Sequence, residues 1–409
     1  IKAPNGFSNP RFYFEVNGQV IEAKELTYET LTQNGATDER HFDVQVFYQQ
    51  DFSMMEYQQN DKSIFATKGF DITKATDVVY GQRQDVPAGA VDISAKGTGT
   101  VMAYYEGTVL HVDSITPFAG KHEHLYPAYP EDCSYLYSGF NNLTSFDFTT
   151  SNANTEFIKN LLGFFYNCPK LTELNVTNLV NATNKVRTIW GTFMQCPNLT
   201  TVTGLDTWNV TYVDQAVGLF NESSKINDAI AAQMKDWNLK NCTMIDMFMS
   251  GTAITNTDFM AEWKLPKAYR CTAMFNSCKS MVSADLSNVF DETLEDATNM
   301  FTDCTSLKSV NWGTTKLNGL KTASGMFARS GIESIDLSGL FGTNLQNCEN
   351  MFLDCKSVVT IDLSDNQLYS VKNGSGMFGR CSNLKTIYVS NNFTGLTTSD
   401  NMFLGCTSI

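Results

Sequence analysis

Asn299-Met300-Phe301-Thr302-Asp303-Cys304-Thr305-Ser306-Leu307 is one copy of a phrase that this chain repeats, and Met377-Phe378-Gly379-Arg380-Cys381-Ser382-Asn383-Leu384 is another. Aligned on the phenylalanine, anchors fall at Phe140, Phe165, Phe193, Phe220, Phe248, Phe275, Phe301, Phe327, Phe352, Phe378 and Phe403, at intervals of 25–28 residues. Self-similarity at that period marks a stack of supersecondary units. Three residues after an anchor comes Cys168, Cys196, Cys278, Cys304, Cys355, Cys381 or Cys406, with a small residue in Ser223, Gly251 and Ser330. Six residues after it comes an aliphatic such as Leu171, Leu199, Leu307 or Leu384. These positions, with Phe165, Phe193, Phe275, Phe301, Phe327, Phe352, Phe378 and Phe403, are the expected repeat core.

A short alternating stretch follows each phrase, as in Ile335-Asp336-Leu337, Ile361-Asp362-Leu363 and Ile387-Tyr388-Val389. Alternation puts successive side chains on opposite faces of a strand. One strand per coil cannot bury its apolar face alone, so equivalent strands must stack in parallel into one continuous core. The expected fold is an α/β repeat solenoid, leucine-rich-repeat-like, with a parallel sheet of short strands. At about 4.8 Å per coil, ten or eleven coils span roughly 50 Å. The Met-Phe and Cys positions form the opposite wall, from a turn or a short helix. Repeats around 215–270 lose the Cys and much of the strand pattern, which predicts a local distortion.

Residues 1–118 read differently. Phe12, Phe14 and Val16 alternate before Asn17-Gly18, a two-residue hairpin signal, and Val20 resumes the strand. His41 to Tyr48 alternates, and Val101 to Tyr105, the Glu106-Gly107 turn and Thr108 to Val112 read as a second hairpin. A β-rich, all-β domain follows from this, a sandwich or barrel, with residues 119–139 as junction and solenoid cap and 140–409 as the array of about eleven repeats. The chain begins at Ile1 and stops partway through a repeat at Ile409, so a removed leader or a longer native chain is expected.

The formal charge is −14 with no Lys/Arg run. Phosphate backbones need cationic neutralisation, so nucleic acid is disfavoured as a partner, and an acidic surface disfavours anionic lipid. No apolar stretch reaches the roughly 20 residues of a membrane-spanning helix, so this segment is not expected to insert into a membrane.

The phrase around Phe301 and that around Phe378 resemble the BspA-like leucine-rich repeat of bacterial surface proteins, in its Met-Phe-x-x-Cys variety. Leu205-Asp206-Thr207-Trp208-Asn209-Val210-Thr211 is similar to the segment that follows the strand in that family. The resemblance covers about two thirds of the chain and implies a secreted or surface-anchored protein binding a host, matrix or microbial partner. That resemblance does not extend to residues 1–118.

Several residue groups invite a chemical reading. The Cys series could pair or hold metal, but stacked equivalents have parallel Cβ vectors, which suit bridging poorly, and a buried thiol packs as a small hydrophobe. The eleven cysteines are an odd number, so full pairing within one chain is impossible. His122-Glu123-His124, with Asp132 and Cys133 nearby, supplies too few convergent ligands for zinc. Trp208, Trp237 and Trp263 recur at 12, 11 and 12 residues before their anchors and are expected to stack, as repeat packing in preference to an aromatic platform for sugars. Asn-x-Ser/Thr sequons at Asn142, Asn175, Asn181, Asn198, Asn209, Asn221, Asn241, Asn373 and Asn392 follow from an Asn- and Thr-rich composition. The acids Asp362, Asp365 and Asn366, and Asp291, Glu292, Glu295 and Asp296, lack calcium-loop spacing. Serine-hydrolase elbow, phosphate loop and zinc-protease helix motifs are missing, and all four His precede residue 125, which excludes a His-based triad inside the array.

The expectation is therefore a non-enzymatic recognition or adhesion protein, without catalytic, cofactor or metal residues, that binds a protein or glycan outside the cell. Its contact residues would be Asn311, Trp312, Asp336, Asp362, Tyr388 and Ser390, beside or within the strands. A structural or host-recognition subunit of a larger surface or virion assembly is the alternative, and an accessory to a carbohydrate-active enzyme the second.

Overall fold

The computed structural model describes residues 13–16 and 19–22 as backbone, and 53–55, 61–115, 126–287, 289–390 and 393–409 in full. The predicted Asn-Gly hairpin is present: β1 (Tyr13–Val16) and β2 (Gln19–Glu22) pair antiparallel with Val16 opposite Gln19. The alternating stretch His41 to Tyr48 lies outside the described residues.

The second expected hairpin is part of a four-stranded sheet. Its strands are β3 (Asp77–Arg83), β4 (Val91–Asp92), β5 (Val101–Glu106) and β6 (Val109–Ile115), in the order β3-β6-β5-β4. Gly107, left-handed at φ 63°, makes the β5–β6 turn, while β3 joins β6 in parallel. Among the described residues the sheet neither closes nor pairs with a second sheet. Its apolar face, with Val78, Tyr80, Ala103, Leu110 and Val112, joins one core with the first coils of the array. A short helix α1 (Ile64–Thr67), capped by the Ser63 hydroxyl, wedges Phe65 into the same core, where it stacks on Tyr137 at 6.5 Å. Tyr80, Tyr129 and Tyr137 bring their hydroxyls together there, Tyr129 lying 2.8 Å from Tyr137. The three phenols satisfy one another's polarity at a junction that is otherwise apolar.

From Asp132 onward the chain coils. Eleven residues form an unbroken line of parallel bridges: Asp132, Asn160, Thr188, Gln215, Met244, Arg270, Asp296, Thr322, Asn347, Asn373 and Thr398. This line is the spine of the solenoid. Five residues beyond each bridge stands the true anchor, which corrects two registers read from sequence: Tyr137, not Phe140, and Met249, not Phe248. Tyr137 N–H bonds to Phe164 and Met249 N–H to Met274, the residues just before the next anchors. Phe140 accordingly takes the Cys position, and Thr252 takes it in place of Gly251. Pattern reading chose the nearest phenylalanine, but only the inter-coil ladder fixes the register.

The anchor wall is a turn with a repeating backbone trick. Two residues per coil are left-handed, two before and two after the anchor, as in Asn299 (φ 57°) and Asp303 (φ 61°) around Phe301. Alternating right- and left-handed residues aims every second N–H along the solenoid axis. In one coil Cys271, Ala273, Phe275 and Ser277 donate to Asp296, Thr298, Met300 and Thr302 of the next, at 2.8–3.0 Å. The turn therefore pairs like a sheet without strand geometry. A left-handed residue other than glycine costs about 1–2 kcal/mol, and the four donated bonds per coil offset that cost. Inside, the anchor rings stack: Phe275–Phe301, Phe301–Phe327, Phe327–Phe352 and Phe352–Phe378 have centroids 5.4–5.9 Å apart.

Opposite that wall lie the strands, β7 (Ser145–Asp147), β8 (Glu173–Asn175), β9 (Thr201–Thr203), β10 (Ser283–Asp285), β11 (Ser309–Asn311), β12 (Ser334–Asp336), β13 (Thr360–Leu363) and β14 (Thr386–Val389). They form three parallel sheets, β7-β8-β9, β10-β11 and β12-β13-β14. The predicted distortion is the interval between β9 and β10. Gly204 (φ 89°) ends β9 where a Cβ would lie 2.4 Å from the Thr177 nitrogen. The next coil places α2 (Asp228–Ala231), capped by Asn227, where a strand is expected, and the one after it a 3-10 turn over Asp258–Met260. Tryptophans fill the space. Trp208, Trp237 and Trp263 stack at 5.7 and 6.3 Å with rings within 6° of parallel.

Candidate functional site

Most strands of the array bury their middle residue and turn the flanking two outward, as Ser334 and Asp336 flank buried Ile335, while Val310 and Ile387 are half-buried. The outward residue at the strand end is an acid or amide in most coils. Asp147, Asn175, Asp285, Asn311, Asp336 and Asp362 each accept the N–H two residues on through one side-chain oxygen, at 2.8–3.2 Å. The side chain so used ends the strand with an Asx turn.

Of the residues expected to meet a partner, Asn311, Asp336 and Tyr388 are exposed, and Asp362 and Ser390 half-buried. In register, Asp336 lies beside Asp362 and Asp362 beside Tyr388, so three coils present one row. Tyr388 is 55 % exposed. The Ser390 hydroxyl accepts the Asp365 N–H at 2.9 Å, tying the last two of these coils together. Trp312 is a correction. It follows outward Asn311 and therefore points in, only 6 % exposed, so it is a core residue and no contact residue. Asp285 was missed by sequence reading. It shares the register of Asn311 and bonds to its amide at 3.0 Å. The recurring Ser-x-Asp-x-Ser phrase, in Ser283 to Ser287 and Ser334 to Ser338, is the signal that identifies it.

Electrostatics fix the row's charge. The Ser287 hydroxyl and N–H hold the Asp285 carboxyl below its usual 3.8, and those of Ser338 do the same for Asp336. Both are carboxylates at neutral pH. On the spine side, by contrast, polar groups spend themselves on one another. Arg270 pairs with buried Asp246, Asn373 donates to Glu349, and Thr298 meets Thr322.

The other groups singled out in the sequence serve packing. The Cys168, Cys196, Cys278, Cys304, Cys355, Cys381 and Cys406 thiols each donate to the anchor carbonyl of the preceding coil at 2.9–3.1 Å. The Ser223 hydroxyl does the same to Phe193 at 2.6 Å. All eleven cysteines are free, and burial pushes the Cys278 and Cys355 thiols up to about 11. Trp208, Trp237 and Trp263 are at most 5 % exposed, each indole N–H donating to a carbonyl of the preceding coil at 2.8–2.9 Å. None of these three indole faces is left for a sugar. The sequon amide of Asn142 donates to the Thr73 carbonyl ahead of the array, those of Asn198, Asn241 and Asn373 donate to neighbouring coils, and Asn221 is buried.

Among the remaining acids, Glu292 takes the Asn318 amide at 2.8 Å, Glu295 pairs with Lys321 at 2.8 Å, and Asp291 and Asp296 accept the N–H groups of Thr293 and Thr298. His122-Glu123-His124 lies outside the described residues. Its proposed neighbours are engaged elsewhere: Asp132 accepts from Ser134, and the Cys133 thiol donates to the Pro130 carbonyl. The expected repeat core is buried except at the end of the chain, where Phe403 is 48 % exposed and Cys406 half-buried. Phe403 stacks on Phe378 at 5.3 Å through one face only.

Comparison with known proteins gives two family matches. Residues 271–409 match the BspA type leucine-rich repeat region, in six copies. Residues 133–256 and 187–312 match a Mycoplasma protein of unknown function, DUF285. Among solved structures, a leucine rich cell surface protein from Faecalibacterium prausnitzii A2-165 is 16% identical, with 80% of this chain and 94% of that chain covered and a TM-score of 0.33. No curated protein matches the chain.

Proposed function

We propose, from the match of residues 271–409 to the BspA type leucine-rich repeat region, that this chain is a recognition protein of the cell surface or extracellular space. Its partner is a protein or glycan of a host, matrix or microbial surface. The row of outward strand-end residues carries this reading. Asn311, Asp336, Asp362 and Tyr388 stand at strand ends of successive coils, Asn311, Asp336 and Tyr388 exposed and Asp362 half-buried. Recurring side chains at one coil per step form an extended surface suited to a large partner.

The test is binding of the intact chain to immobilised matrix proteins and glycans. The quadruple variant Asn311→Ala, Asp336→Ala, Asp362→Ala, Tyr388→Ala is run beside it, with circular dichroism to confirm folding. Loss of at least tenfold in affinity is expected, about 1.4 kcal/mol. Undiminished binding by the folded variant would move the site elsewhere on the molecule.

A further inference from the structure

The strand side of the solenoid is interrupted twice, while the spine is not interrupted at all. We propose that the molecule is articulated: the strand blocks β7–β9, β10–β11 and β12–β14 ride on one continuous spine, and the helical section between β9 and β10 is a flexure joint.

Inside a block, backbone meets backbone. Val176 N–H donates to the Thr203 carbonyl at 2.8 Å, and Thr201 N–H to Thr172 at 3.0 Å. At the joint, side chains stand in for the missing strands. Gln233 lays its amide along the free edge of β9, donating to the Val202 carbonyl at 2.6 Å and accepting the Leu205 N–H at 3.3 Å. On the far side the Thr257 hydroxyl accepts the Asp285 N–H at 2.7 Å and donates to the Asp285 carbonyl at 3.0 Å, serving both groups of the β10 edge. Among the described residues, no backbone hydrogen bond joins β9 to residues 226–234.

The spine crosses the same section intact. Ala216, Gly218 and Phe220 donate to Met244, Asp246 and Phe248 at 2.7–3.1 Å, and Ile245 and Met247 to Arg270 and Thr272 at 2.8–3.1 Å. A side chain carried on rotatable bonds transmits position less stiffly than a backbone ladder. Backbone bonds do cross farther along, Ala253 N–H to Ile226 and Val282 N–H to Thr255 at 2.8 Å, so the step from β9 to residues 226–234 is the one tied through side chains. With the spine locked, bending opens the strand side at that step. The two side-chain seals also occupy edges that would otherwise invite strand addition. Because the blocks carry the outward residues, flexure changes the angle between β7–β9 and the rest, whatever those residues bind. The inference does not depend on a partner.

Hydrogen exchange of the intact chain, read by mass spectrometry, tests it. In the wild type, amides of 202–205 should exchange about tenfold faster than those of 174–177. In Gln233→Ala they should speed up by about a further tenfold, the loss of one or two hydrogen bonds. Spine amides of 216–220 should stay within about twofold of the wild type. Thr257→Val should do the same to 283–286. Equal protection of β8 and β9 in the wild type, or acceleration that spreads equally to the spine in both variants, would overturn the joint.

Discussion

A single buried atom distinguishes the four tryptophans of the array core. Trp208, Trp237 and Trp263 each donate the indole N–H to the coil before, whereas the Trp312 Nε1 is buried without an acceptor. An unmade buried hydrogen bond costs its desolvation, and a made one contributes about 1 kcal/mol. Trp312→Phe should therefore be milder than Trp237→Phe by about 1–2 kcal/mol, both losing similar volume. Urea unfolding followed by circular dichroism measures the difference, and equal losses would contradict it. Thiols give a second expectation at this scale. Burial raises Cys242, Cys278, Cys348 and Cys355 to about 11–12, and only Cys406 is partly open to solvent. A thiolate is the reacting species. Iodoacetamide on the native protein should label Cys406 and leave the other ten until denaturant is added; native labelling of Cys355 would be inconsistent with the burial described.

Among elements, the anchor turn does what strands do elsewhere. Its stacked rings and four inter-coil bonds make each coil depend on both neighbours. Phe301 has rings on either side, so Phe301→Ala should cost about 3–5 kcal/mol. Phe403, half exposed and stacked on one face, should cost roughly half that or less on the same change. Chemical denaturation of the two variants compares them, and equal costs would mean that the rings do not stack as described. The tryptophan-filled interval shows the same dependence in another form: where the strands fail, indoles and the Gln233 and Thr257 side chains hold adjacent coils together.

For the whole molecule, titration follows from the burial of so many thiols. An unfolded cysteine loses its proton near 9.0, a buried one such as Cys242 only at about 12. Between those values the unfolded state binds fewer protons than the folded one, so stability falls as pH rises above about 9. Acid acts in the opposite sense. Asp285, Asp303 and Asp336 are held below 3.8, by Ser287, Arg329 and Ser338 respectively, so their contribution is present above that value and lost as pH falls from it through the lower folded pKa values. Urea midpoints measured across pH should form a plateau that declines on both sides. An alkaline limb as flat as the neutral region would mean that the thiols titrate normally in the folded chain.

Periodicity in the sequence was enough to establish the solenoid, its parallel strands, the inward Phe, Cys and Leu positions and the weakened coils around 215–270, because a side chain repeated at one period must occupy one environment. It also yielded most of the outward row, since alternation assigns faces: Asn311, Asp336 and Tyr388 are exposed as read, and the error at Trp312 came from taking the residue after an outward one as outward too. Tertiary structure alone decided the register at Tyr137 and Met249, where other residues replace the anchor phenylalanine and only the bonds to the next coil show it. It alone showed that residues 61–115 share a core with the array, because that contact joins segments without any common pattern. The side-chain seals at Gln233 and Thr257 were likewise beyond a linear reading, since each matters only for the strand edge that folding brings beside it.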